Sequence, residues 1–145
     1  MLATVQRVSS AEVFVDGQTF SSIGNGCLVF LCIEAGDSSK QMKEMIEKII
    51  NFKMFDGPKG ITSKSLKDAD EEVLIVSQFT LAAITNKGTK PSFHKAATPN
   101  KAKKIYDQFV QIFKDSSLNV QTGRFGEIMN ITLTNKGPIT FNFRT

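Results

Sequence analysis

Histidine, cysteine and tryptophan are nearly missing from this chain, which has one, two and none of them among its 145 residues. With His94 as the sole imidazole, a His-based zinc site or a cluster of several histidines cannot be assembled within one chain. As a general base His94 would need a nucleophile and an orienting partner, and it reads more simply as a satisfied loop histidine. Cys27 and Cys32 sit five apart in an apolar run, so in a strand of period two they face opposite ways. That spacing chelates nothing, and both read as reduced, buried small hydrophobes. Gly-x-Gly-x-x-Gly, Walker A and Gly-x-Ser-x-Gly motifs are all absent, which removes the common nucleotide and α/β-hydrolase signatures. No stretch reaches the roughly 18 apolar residues of a membrane span. The segment from Met1 to Arg7 lacks a basic region followed by an apolar one. The expectation is a cytoplasmic protein with no membrane partner. No period of 20–50 residues repeats and no linker-like tract divides the chain, so one domain over residues 1–145 is expected.

What remains is an ordinary globular composition, with 41% hydrophobic and 22% charged residues. A chain of this length buries about 68–70% of its unfolded surface, enough for a core without staples. Twelve phenylalanines point to a Phe-rich core. Lysine and arginine exceed the acids by 18 to 14, giving a net charge of +4 and a mild basicity compatible with a polyanionic partner.

Strand signals come first along the chain. Residues 2–9 and the alternating 11–15 read as strands, Asp16-Gly17 as a hairpin turn and residues 18–23 as the returning strand. Residues 27–33 are apolar almost throughout, as in a central strand covered on both faces. From Ser38 the period turns helical, with Met42, Met45, Ile46, Ile49 and Ile50 in one stripe and N-caps offered by Asp37, Ser38 and Ser39. Residues 56–60 form a turn cluster, residues 72–80 a strand and residues 84–98 a polar loop. Thr98 and Pro99 open a second helix that buries Ala102, Ile105, Tyr106, Phe109, Val110 and Phe113. Strands near 118–122, 128–134 and 139–143 complete the chain. The pattern predicts an α+β fold, an antiparallel sheet or partly closed barrel with two main helices on one side; parallel βαβ winding is not expected.

Two motifs hold the candidate chemistry. Ser77-Gln78-Phe79-Thr80-Leu81 brings hydroxyls, an amide and an aromatic ring to a strand end, where freed backbone N–H groups can address a ligand. Phe79 could stack on an unpaired base; the bland alternative is an ordinary strand end with Phe79 in the core. Gly137-Pro138 reads locally as a turn between two strands, and since only roughly 5–6% of X-Pro bonds are cis, sequence alone favours trans. Lys87, Lys90, Lys95, Lys101, Lys103 and Lys104 cluster in the loop and second helix, as a phosphate-binding face or a solvated one.

Taken together with Gln6-Arg7-Val8, Val15-Asp16-Gly17, Lys87-Gly88, Lys90-Pro91-Ser92-Phe93, Thr122-Gly123-Arg124-Phe125-Gly126, Met129 and Asn135, these motifs resemble the D-aminoacyl-tRNA (D-tyrosyl-tRNA) deacylases over nearly the whole chain. The resemblance implies a metal-free, cofactor-free homodimer that hydrolyses the ester joining a D-amino acid to the 3′ adenosine of tRNA, a proofreading step in translation quality control. It implies a cis Gly137-Pro138 peptide reaching into the partner subunit's pocket, held by Arg7, with two carbonyls that reject L-substrates and let glycine pass. Phe79 then belongs to the adenosine pocket, with its N–H as an oxyanion donor. Catalytic candidates are thus Ser77, Gln78, Phe79 and Thr80; substrate-binding candidates are Arg7, Phe79, Met129, Gly137 and Pro138; tRNA-binding candidates are Lys87, Lys90 and Lys95. Thr80 lacks a base in the motif, which favours assistance from the RNA 2′-hydroxyl over attack by Thr80. Lys136 stands where relatives often carry an acidic residue, Ala82-Ala83-Ile84 replaces a more aromatic stretch, and Glu127 replaces a small residue. The alternative function is a non-catalytic nucleic-acid-binding module.

Overall fold

Apolar alternation from Leu2 onward makes one long strand, β1 (Leu2–Val15), rather than two short ones. The computed structural model describes residues 1–86 and 88–145. Asp16 and Gly17 turn the chain with φ of 52° and 77°, and β2 (Gln18–Ile23) returns antiparallel to the second half of β1. β3 (Gly26–Cys32) pairs antiparallel with the first half of β1. It is buried on both faces, as its unbroken apolar run predicts.

Helix α1 (Ser39–Asn51) starts at Ser38, whose side chain forms a capping box with Gln41. Its buried stripe is Met42, Met45, Ile46 and Ile49. A hairpin absent from the sequence reading follows, β4 (Lys53–Gly57) and β5 (Gly60–Ser65), then the short helix α2 (Leu66–Ala69). β6 (Glu72–Ser77) lies parallel to β3. Helix α3 (Pro99–Asp115) starts at Thr98 with Pro99 in its first turn, and β7 (Val120–Thr122) lies parallel to β6. The last strand, β8 (Asn130–Arg144), runs antiparallel along all of β1.

The α+β class, the near-closed barrel and the two helices stand. The sheet is mixed, however, and its β3–β6 and β6–β7 pairs correct the expectation of antiparallel pairing alone. Hairpin turns decide pairing only between neighbours in sequence; here two long excursions return β6 and β7 to the same side of the sheet. The end strands of the sheet meet where Ser21 Oγ of β2 donates to Thr122 O of β7 at 2.7 Å.

Two cores result. Ala3, Val5, Val29, Leu31, Val73 and Ile75 face α1 and α3, whose Phe109 and Phe113 are fully buried against them. Each such phenylalanine contributes about 1.5–3 kcal/mol of burial. Val8 faces the barrel by strand alternation, and the register shift between Val8 and Ser10 brings Ala11, Val13 and Val15 onto the same side, with Leu28, Leu74 and Val76. Cys27 and Cys32 are free and buried. Among the described residues no helix is long and apolar enough to cross a membrane.

Candidate functional site

β6 ends at Ser77, three residues earlier than the strand expected over 72–80. Gln78 N makes one more sheet bond, to Leu31 O at 2.8 Å. At Gln78 the backbone turns to φ −145° and ψ 82°, and a 3₁₀ turn, Phe79–Ala82, follows. Ala83 N closes it on Thr80 O at 3.0 Å. Among the described residues the N–H groups of Phe79 and Thr80 find no backbone acceptor, as at any turn start, which leaves them available to a ligand.

Beside this turn lies a cleft of about 400 Å³, lined by Ser77, Gln78 and Phe79 together with apolar residues that include Leu31, Phe93 and Phe125. Phe79 is 59% exposed, so it is not the core residue of the bland alternative. It meets Phe93 edge to face, with centroids 5.1 Å apart and planes at 67°. The far wall is fixed by Tyr106, whose buried hydroxyl donates to Ile75 O at 2.8 Å and whose ring packs on Phe125. Burial raises the Tyr106 phenol above its ordinary range. Among the described residues no ionisable side chain lines the cleft.

Thr80 is exposed outside the lining, and its Oγ accepts from Gln78 Nε2 at 2.6 Å. No base lies within hydrogen-bond reach of that hydroxyl among the described residues. Below the turn Cys32 Sγ donates to Phe79 O at 3.6 Å. His94, exposed and elsewhere on the surface, has Nδ1 2.9 Å from Ser92 Oγ, a satisfied loop histidine.

The second motif lies on the opposite part of the sheet. β8 pairs with β1 at Asn135↔Val8 and at Thr140↔Gln6, so four residues, Lys136 to Ile139, bulge out opposite the single residue Arg7. Asn135 closes the neck of this bulge: its Nδ2 donates to Ile139 O at 3.0 Å and its Oδ1 accepts from Ile139 N at 3.2 Å. Gly137 and Pro138 are exposed at the tip, joined by a cis peptide, the isomer implied by the resemblance and not the one favoured by local sequence.

Arg7 is only 4% exposed. Its Nε donates to Lys136 O at 3.0 Å, and Nη1 reaches Met54 O at 3.1 Å, Ile61 O at 2.6 Å and the Asp56 carboxylate. The β4–β5 hairpin thereby braces the bulge. Neither Gly137 nor Pro138 lines the cleft of its own chain.

Comparison with known sequences decides the family. A family profile described as D-Tyr-tRNA(Tyr) deacylase matches residues 4–144. This chain belongs to the D-Tyr-tRNA(Tyr) deacylase family. The D-aminoacyl-tRNA deacylase of Hahella chejuensis is 45% identical over 144 residues, and that of Shewanella pealeana 42% over 144, each match covering 99% of both chains. Among solved structures, the c-Myc DNA Unwinding Element Binding Protein superposes with a TM-score of 0.94 at 38% identity, covering 100% of this chain and 99% of that one. A probable eukaryotic D-amino acid tRNA deacylase shares the fold, with a TM-score of 0.84 at 17% identity, covering 98% and 97%.

The remaining candidates of this deacylase-family chain are dispersed. Met129 packs on the barrel core, its Sδ accepting from Arg124 N at 3.3 Å, and lies outside the cleft lining. Lys90 and Lys95 are exposed and outside the cleft lining, whereas Lys87 lies outside the described residues. Lys101 donates to Ala35 O at 2.6 Å and Lys103 pairs with Asp107, so part of the basic cluster is engaged locally. Sequence reasoning missed Asp56, which it read as part of a turn; its partner Arg7 is 49 residues away and no local pattern connects them.

Proposed function

We propose that this chain hydrolyses the ester of D-aminoacyl-tRNA, releasing free D-amino acid and tRNA in the cytoplasm as a chiral proofreading step. One observation carries the mechanism: among the described residues the cleft beside Phe79 offers an aromatic surface and open backbone N–H groups but no side chain able to act as a base. The 3′ adenosine stacks against Phe79 and Phe93, and the N–H groups at the start of the 3₁₀ turn receive the developing oxyanion. Water adds to the ester carbonyl, assisted by the substrate's own ribose 2′-hydroxyl; the bond to the 3′ oxygen then breaks and that oxygen takes the proton. Ser77 and Gln78 line the cleft, and Gln78 holds the Thr80 hydroxyl.

Discrimination belongs to the Gly137-Pro138 turn. Because it lies away from the cleft of its own chain, it serves the cleft of a second copy in a homodimer. Rigid main-chain carbonyls on one side of the α-carbon exclude an L-side chain and ignore a D one, so glycine passes as well. Lys90 and Lys95, with Lys87, meet the acceptor-stem phosphates, which makes affinity fall with salt.

A second reading, a non-catalytic nucleic-acid-binding module, draws on the same basic face and on the likeness to a solved protein titled as a DNA unwinding element binder. Purified protein with chelator present, offered D-tyrosyl-, L-tyrosyl- and glycyl-tRNA, separates the two. Release from the D and glycyl esters alone is expected. Salt-sensitive binding without turnover, or equal release from the L ester, overturns the proposal.

A further inference from the structure

Two cations converge on one carboxylate behind the Gly137-Pro138 turn, and that carboxylate comes from the β4–β5 hairpin. Asp56 holds Arg7 Nη1 with Oδ1, and its Oδ2 lies 3.8 Å from Lys136 Nζ. The other acceptors of the buried guanidinium, the carbonyls of Met54, Ile61 and Lys136, are neutral. Asp56 is the one anion paired with Arg7 among the described residues. Lys136 is thus held through its carbonyl by Arg7 Nε, while its half-exposed ammonium lies within ion-pair range of the half-exposed Asp56 carboxylate. Gly137 comes next, and a Cβ there would stand 3.2 Å from Arg7 Nη2, so the guanidinium also backs the turn directly.

We infer that Asp56 is a positioning residue for the stereochemical gate, acting through Arg7 and Lys136 to hold the Gly137-Pro138 carbonyls at their place. The inference rests on the gate reading above. Without the carboxylate, Arg7 is a buried charge met only by neutral carbonyls, beside a second cation that repels it. Such a guanidinium is drawn towards water and no longer fixes the Lys136 carbonyl. A wall that rejects a side chain by contact tolerates little drift, since displacement of about 1 Å at a reacting geometry is felt strongly. Selectivity is therefore lost before turnover.

The test compares release from D-tyrosyl- and L-tyrosyl-tRNA by the full-length chain and by Asp56→Ala, Asp56→Asn and Asp56→Glu. Asp56→Asn is nearly isosteric and carries the test if the alanine variant does not fold. The D-over-L ratio of kcat/KM is expected to fall at least about tenfold in the alanine and asparagine variants, the scale of one charge-assisted hydrogen bond. The D rate changes less than the ratio does, and Asp56→Glu restores most of it. An unchanged ratio in folded Asp56→Asn overturns the inference, and so does an equal loss on both substrates, which marks mere support of the fold. If the unmodified chain itself releases no D-tyrosine, it is the gate reading that fails.

Discussion

Replacing Thr80 by alanine separates two mechanisms by orders of magnitude. In the structure the Thr80 hydroxyl is exposed, lies outside the cleft lining and has one side-chain partner, Gln78 Nε2 at 2.6 Å. A neutral hydrogen bond of this kind is worth about 0.5–1.5 kcal/mol, and its loss costs no more than about tenfold in rate even if all of it is felt in the transition state. A nucleophile behaves differently, because deleting one from a working triad lowers kcat roughly a million-fold. Single-turnover deacylation of D-tyrosyl-tRNA by Thr80→Ala, with binding measured separately, reads the difference. The expected outcome is loss within about tenfold. A parallel substrate ending in 2′-deoxyadenosine should be nearly inert with both proteins. Loss beyond about a thousandfold in Thr80→Ala with binding intact refutes RNA assistance and makes Thr80 the attacking group.

The other predictions concern the platform and the scaffold. Phe79→Ala removes the half-exposed ring facing Phe93 and should raise KM roughly 5- to 150-fold, the scale of one base–aromatic stack, with little change in thermal midpoint; unchanged KM would refute an adenosine platform there. Gly26→Ala should lower the thermal midpoint by more than about 10 °C, because its Cβ would stand 2.0 Å from Glu72 O on the parallel partner strand, a backbone atom with little room to yield. Burial pushes the Cys27 thiol from its ordinary 9.0 up to about 12 and the Cys32 thiol from 9.0 up to about 11. Both raised groups are neutral in the fold, so their stabilisation is complete below pH 9.0 and is lost as pH rises towards 11 and 12. Urea midpoints should decline across that alkaline range and decline less in a Cys27→Ala, Cys32→Ala double variant; equal declines in the two proteins would contradict burial as the cause.

Much of the local architecture was legible because it depends on close neighbours. The stripe Met42, Met45, Ile46, Ile49 and Ile50 and the stripe from Ala102 to Phe113 follow from helical period, and all their members emerge buried except Ile50 and Ala102, which are half-buried. Asp16-Gly17 turns the β1–β2 hairpin because both residues accept positive φ. The two motifs could be picked out for their chemistry, but their arrangement could not: Gly137-Pro138 reads as a simple turn between strands, whereas it is the tip of a bulge within β8.

Residue types and their spacing determined α1 and α3, the first hairpin and the buried β3. Tertiary structure alone decided that β6 joins β3 in parallel, that an apolar cleft opens beside Phe79, and that Asp56 meets Arg7 behind the bulge. Period and turn chemistry act over a few residues, while strand partners, clefts and ion pairs are chosen by packing between segments tens of residues apart.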